Sequence, residues 1–390
     1  MKEDAERVRI LINGAEMKSK TKVISIVLFL SVFIMLISCQ KQNSEWKGKI
    51  EEEDGVIVVK NPKEPMYSED VCSIKEELSI GEADGREEYM FSQIIDVGID
   101  DEENIYILDF LEAHIKVFNK SGEHLRTIGR RGQGPGEIQR AVNIYITPSN
   151  EILINDRGAR YFHFFALGGE YIRSVYQSRL SRPRVDTQNN IVARSTIMDR
   201  AEFRFVLKKF DSELNELYKI FSYRSEITPK IYNVYPAQCF WEVRRDDSIV
   251  WGYADKYEFN ILDSSGQVIR KIFKDYEPVE IKEEEKQNWI KNIFGDNGVP
   301  PDVKVNWDKY HNAFQFLNID DVGRIFVHTY EKTTDGRSYY YDVFNSEGKY
   351  ITKVPLKTRP QVFKKSRLYT IEEDEEGFQF VKKYKITWKY

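Results

Sequence analysis

Cysteine is scarce in this chain. Three residues among 390, Cys39, Cys72 and Cys239, are odd in number and widely spaced, so they form no disulfide framework, and no C-x-x-C or Cys/His spacing offers a metal site. Histidine is nearly as rare: His114, His124, His163, His311 and His328 fall at unrelated places, and no metal is expected. Charge of one sign is lacking too, because a net charge of −5 gives no global pull toward nucleic acid; no nucleic-acid partner is expected. The apolar run at 23–37, VISIVLFLSVFIMLI, is 15 residues long, short of the roughly 18 that a spanning helix needs. Nucleophile and nucleotide motifs are also missing. No G-x-S-x-G elbow occurs. Gly129 and Gly134 have Walker A separation, but Pro135 and Gly136 stand where Lys and Ser/Thr belong, and Glu137 breaks G-x-G-x-x-G. No cofactor is expected.

Aromatic residues are plentiful: 23 Tyr, 23 Phe and 6 Trp. Such residues favour strands, and the strands repeat. One half of the unit is a polar turn and a short β-rich run: EENIYIL (102–108), SNEILIN (149–155), QNNIVAR (188–194), DDSIVWG (246–252), VGRIFVH (322–328) and KSRLYTI (365–371). The other half is apolar, turn, apolar, as in VFNKSGEHLRTI (117–128) and VFNSEGKYITKV (343–354). Period-2 alternation with Asn, Asp and Gly turns reads as antiparallel hairpins. Four strands taken six times predict an all-β, six-bladed β-propeller with four-stranded blades. The step from Ile249 to Ile325, 76 residues, exceeds the roughly 40–50 of a blade. The excess is a helix-and-loop insertion at 275–313, with acids early and Gly295 as the stop. The last copy lacks its final strand. Because propellers close without a free edge, the segment 56–80 is expected to supply it.

The N-terminus reads as export machinery. A basic MKSKTK (17–22), the apolar run and then LISC (36–39) have the order of a secretory signal. Leu-Ile-Ser-Cys resembles a bacterial lipobox, which implies lipidation at Cys39, removal of 1–38 and a membrane partner held through the lipid. Residues 1–16 contain acids that fit no n-region, so translation is expected to begin at Met17. Residues 39–54 read as a polar tether and 55–390 as the propeller.

ENIYILDFLEAHIKVFNKSGEHLRTIGRRGQGPGEI (103–138) resembles an NHL repeat. Together with the lipobox and the GQGPGE loop, the chain is similar to six-bladed β-propeller lipoproteins of Bacteroidota-type bacteria. That resemblance implies the fold and an outer-membrane lipoprotein on its periplasmic or cell-surface face, and it implies no activity.

Between Ser121 and Leu207 there are 13 Arg and no Lys, against eight acids. Arg130 and Arg131 follow the fourth strand of the first blade, and Arg157 and Arg160 the second strand of the next. Those two loop types open on one face, while Arg182 and Arg184 belong near the axis. Guanidinium forks bind carboxylate or sulfate bidentately, so these six are the candidate ligand-binding residues. The leading expectation is a non-catalytic binding or scaffold propeller for an anionic glycan or a protein, and no catalytic residue is assigned. The alternative is a propeller hydrolase or lyase acting on a glycan or lactone at the central tunnel.

Overall fold

The computed structural model describes residues 45–389 apart from 200–201 and 226–229. Cys39, the segment 1–38 expected to be a signal and the start of the expected tether lie outside the described residues. Six antiparallel sheets follow one another along the chain. Blade 1 spans 94–128, blade 2 141–176, blade 3 180–225, blade 4 239–274, blade 5 316–356 and blade 6 360–388. The first strands of consecutive blades touch in a closed ring, so they surround the axis.

Turn chemistry explains the repeat. In blade 1, Asp100 Oδ1 accepts the backbone N–H of Glu102 (2.9 Å) and of Asn104 (2.8 Å). Asp186 and Asp320 repeat this capping between the first and second strands of blades 3 and 5, and Asn119, Asp263 and Asn345 do so between third and fourth strands. Asx side chains that close their own turn fix hairpin register, so Asp100, Asp186 and Asp320 are turn residues.

Packing follows the same order. Buried apolar side chains form six clusters, one at each junction of neighbouring blades. The closing cluster joins Tyr369 and Val381 of blade 6 to Ile105 and Phe118 of blade 1. It also takes in Ile80, from an N-terminal strand.

Three strands precede blade 1: β1 (Lys49–Glu53), β2 (Val56–Asn61) and β3 (Cys72–Ile80). As the sequence implied, β3 is the fourth strand of blade 6, antiparallel to Gln379–Trp388 from Trp388↔Cys72 to Val381↔Ile80. The segment 56–61 does something else. β2 runs parallel to the outer strand of blade 4, Ile57↔Arg270 to Asn61↔Lys274, and β1 pairs on β2, giving a six-stranded blade. The stretch read as a tether is therefore structured from Trp46 onward. Asn61, 3% exposed, locks the addition: Trp46 Nε1 and the Tyr350 N–H donate to its Oδ1, while its Nδ2 donates to the Phe273 and Gly348 carbonyls.

The insertion contains α1 (Glu283–Phe294), opened by three glutamates that complement its N-terminal dipole and stopped at Gly295 with φ 70°. The strand Lys304–Asn306 pairs in parallel with Ile231–Asn233 from the connection between blades 3 and 4. Trp289 of α1 meets Tyr232 and Trp307 edge-on. Cys72 and Cys239 are free, and burial pushes both thiols up to about 12, which leaves them unreactive at neutral pH.

Candidate functional site

The glycine-rich loop 129–137 joins the outer strand of blade 1 to the inner strand of blade 2. It folds onto itself: Ile138 N–H donates to the Arg130 carbonyl (2.9 Å) and Gly132 N–H to the Ile138 carbonyl (3.2 Å). Glu137 supplies the anion the loop could have sought. Its carboxylate accepts Gly134 N–H (2.8 Å) and Arg130 Nε (2.9 Å) and Nη2 (2.8 Å). A Cβ on Gly132 would stand 1.9 Å from Glu137 Oε2, and Gly136, at φ 77°, lies against Tyr171. Arg131 donates to the Leu111 carbonyl. Arg157 and Arg160 are exposed on the next blade, and Arg160 takes a left-handed φ of 61°.

Ser174, His163 and Asp156 of blade 2 are contiguous, with Ser174 Oγ 2.6 Å from His163 Nδ1. His163 Nε2 is 3.8 Å from Asp156 Oδ2, too far for a hydrogen bond. Asp156 is occupied by four backbone N–H groups, those of Gln139, Arg140, Gly158 and Ala159. Asp109 caps the matching loop of blade 1 in the same way. The trio is loop architecture.

The axis is where charge converges. The first strands bulge in blades 1, 2, 3 and 6, after Ile94, Ala141, Ser181 and Pro360. A bulge re-aims side chains, and these strands carry polar groups into the channel. Asp96, Tyr145, Arg184, Glu242, Asn318 and Gln361, one from each blade, line a cavity of about 400 Å3 that reaches the face of the Asx turns. Arg184 and Glu242 form a bidentate pair at 2.6 and 2.8 Å, both largely buried. Burial works against the Arg184 cation, but Glu242 outweighs it and holds its pKa above the ordinary arginine value. Asp96 accepts Ile144 N–H (3.0 Å), Val97 N–H (3.0 Å) and Asn143 Nδ2 (3.3 Å), and burial still keeps its pKa above the usual carboxylate range.

Toward the opposite end of the channel the balance changes. Arg182, at a left-handed φ of 54° within its bulge, lies 4.4 Å from the Phe316 ring centre and 5.3 Å from those of Phe240 and Trp241. Arg359 lies 3.6 Å from the same Phe316 ring. Among the described residues neither guanidinium makes an ion pair or hydrogen bond. Burial, helped by the Arg184 charge, pushes Arg182 down to about 9, and burial lowers Arg359 as well. A guanidinium stays protonated, so the shifts mark cations short of compensating charge.

The six arginines read from the sequence therefore do not form one patch. Arg130, Arg131, Arg157 and Arg160 lie on outer loops, Arg182 and Arg184 on the axis. Sequence reasoning missed Asp96, Glu242, Asn318 and Arg359. The available signal was a charged or amide residue inside an otherwise apolar first strand, as in IIDVGI (94–99) and CFWEV (239–243). Among the described residues no group of three or more His, Cys, Asp or Glu is placed to hold a metal ion.

The profile of a family described as a 6-bladed beta-propeller matches residues 82–381. The chain belongs to that family. Solved structures agree on the fold. A Bacteroides fragilis protein described as exported is 12% identical, with a TM-score of 0.56 over 85% of this chain and 100% of that one. A DUF4221-family member from Bacteroides vulgatus is 13% identical, with a TM-score of 0.53 over 82% of this chain and 99% of that one. At such identities the family propeller and these structures share architecture alone. A comparison with curated proteins finds none that matches.

Proposed function

We propose that this family member is a cell-envelope lipoprotein that binds a ligand at its axial channel without transforming it. The observation that carries the binding reading is the state of the carboxylates that line the axial cavity. General acid–base chemistry needs a carboxyl group free to exchange a proton with the substrate. Here Glu242 is tied bidentately to Arg184, Asp96 accepts two backbone N–H groups and an amide, Asp246 and Asp320 close their own turns, and Asp321 accepts the Lys365 N–H. What the channel offers instead is surplus guanidinium, which suits an anionic glycan or a protein's carboxylates. Arg157 and Arg160, on a loop at the end of the blades away from the Asx turns, would extend contact beside Arg182 and Arg359 for a ligand larger than the cavity.

The envelope location is supported by the segment 17–39 and by the Bacteroides fragilis structure's description as exported. Among the described residues no helix is long and apolar enough to cross a membrane, and Cys39 lipidation would supply the attachment. Cys39→Ala is expected to move the protein from the membrane pellet to the soluble fraction; retention in the pellet overturns the anchor. For the channel, ligands found by thermal shift are to be recovered and weighed by mass spectrometry. Recovery intact supports binding, and recovery as cleaved product replaces it with catalysis.

A further inference from the structure

The layer of Arg182, Phe316 and Arg359 carries more than a general liking for anions. Each guanidinium lies against the one ring. Stacking leaves the N–H edges of a guanidinium available, and those edges form the fork that accepts a carboxylate. The acid nearest in effect to Arg182 is Glu242, already spent on Arg184 through both its oxygens. Arg359 is solvent-exposed while its guanidinium lies on the Phe316 ring, so an anion can reach its free N–H edge.

A second, independent feature lies beside this layer. Asn318 is two residues beyond Phe316 on the same inner strand, and alternate strand residues share a face. It is 5% exposed, lines the 400 Å3 cavity, and its Oδ1 has no hydrogen-bond partner. A buried orphan acceptor is costly unless a donor reaches it. The cavity, which Asn318 lines on the Asx-turn side of the Arg182–Phe316–Arg359 layer, falls within the roughly 300–1,000 Å3 of small-ligand pockets.

We infer that Arg182 and Arg359 clamp the carboxylate of a small hydroxylated acid, of the uronic-acid sugar class, while a ligand hydroxyl donates to Asn318 Oδ1. This deepens the axial-binding reading and rests on it. The Arg184–Glu242 pair then forms the channel wall, closing Arg184 to the anion and leaving the two stacked arginines to take it.

Trp241 provides the readout, since its ring lies 5.3 Å from the Arg182 guanidinium. D-glucuronate, D-glucose and sulfate are titrated against intrinsic fluorescence, with Trp241→Phe identifying the reporting residue. D-glucuronate is expected to give a saturable response and D-glucose none. Sulfate, which has no hydroxyl for Asn318, should bind more weakly. Arg182→Gln should weaken glucuronate roughly 30-fold or more, as loss of one partner of a desolvated charge pair does, and the exposed Arg359→Gln by a smaller but measurable factor; Asn318→Leu should narrow the gap between glucuronate and sulfate. Melting temperatures of the variants show that they fold. A glucuronate affinity unchanged in Arg359→Gln overturns the clamp. A saturable response to D-glucose that ignores both arginine substitutions overturns the clamp but leaves axial binding standing. Silence from all three probes overturns the clamp in this form.

Discussion

Arg130 and Arg182 come from the same lysine-free stretch of sequence, yet the fold treats them in opposite ways. Arg130 lies on a glycine-rich loop, its side chain 82% exposed, with Glu137 seven residues later as a built-in counter-ion. Arg182 is packed among three aromatic rings with no carboxylate of its own. The exposed arginine has a partner it hardly needs, because water already solvates it. The packed one lacks a partner it does need. Conspicuous sequence thus marks loop architecture here, and the plainer LSRPRV strand carries the candidate site.

The strongest way to break this contrast is to make the axis still more cationic. Glu242→Leu leaves Arg184 without its bidentate partner and adds a third under-compensated guanidinium. Removing one partner of a buried pair costs about 3–5 kcal/mol. Denaturant unfolding should show a loss of that order, and Arg184→Met added to Glu242→Leu should recover most of it, because the stranded charge is then gone. A loss no larger than that of an exposed pair would mean the channel solvates Arg184 well, and the axial contrast would fall.

Acid titration sharpens the comparison with a smaller effect. His328 stacks on Tyr341 at 4.5 Å, beside Gln315. Burial, aided by the Arg359 charge, pushes it from 6.5 down to about 4. The folded state therefore refuses a proton that the unfolded chain accepts between those values. Stability should fall as pH drops from about 6.5 to 4, by up to about 3 kcal/mol, with no contribution from this group at higher pH. His328→Gln should flatten that part of the stability–pH curve. Arg359→Gln should flatten it partly, because the charge facing the imidazole would be gone. An unchanged slope in His328→Gln would show that other groups control the acid limb.

The fold was legible in the chain because its turns are written in chemistry. Asp100, Asn119, Asp263 and Asn345 announce hairpins through side chains that close their own turns. Closure by β3 was legible too, because the last blade lacked a strand. The destination of β2 was not. VIVVKN fits any blade edge, and its address is set by Asn61, whose partners Trp46, Phe273, Gly348 and Tyr350 come from three separate stretches of chain. The axial site was legible only in part. Arg182 and Arg184 stood out through repeat position. Arg359 precedes blade 6 outside any repeat match, and Glu242 and Asn318 are single polar residues whose meaning depends on what five other blades place opposite them.

The smallest expected effect returns to the glycine-rich loop. Glu137→Gln removes the charge that Arg130 faces while keeping an acceptor for Gly134 N–H. Exposed pairs contribute about 0–1 kcal/mol, so the melting temperature should barely move. Release of Arg130 should instead give the loop a weak, salt-sensitive affinity for sulfate that the native protein lacks there, since exposed charges are screened within about 10 Å at 0.1 M salt. Sulfate titration in an Arg182→Gln, Arg359→Gln background removes the axial clamp from the measurement. If sulfate then binds equally well with Glu137 present or absent, the loop arginines recognise anions despite their counter-ion, and the line drawn between loop and axis is wrong.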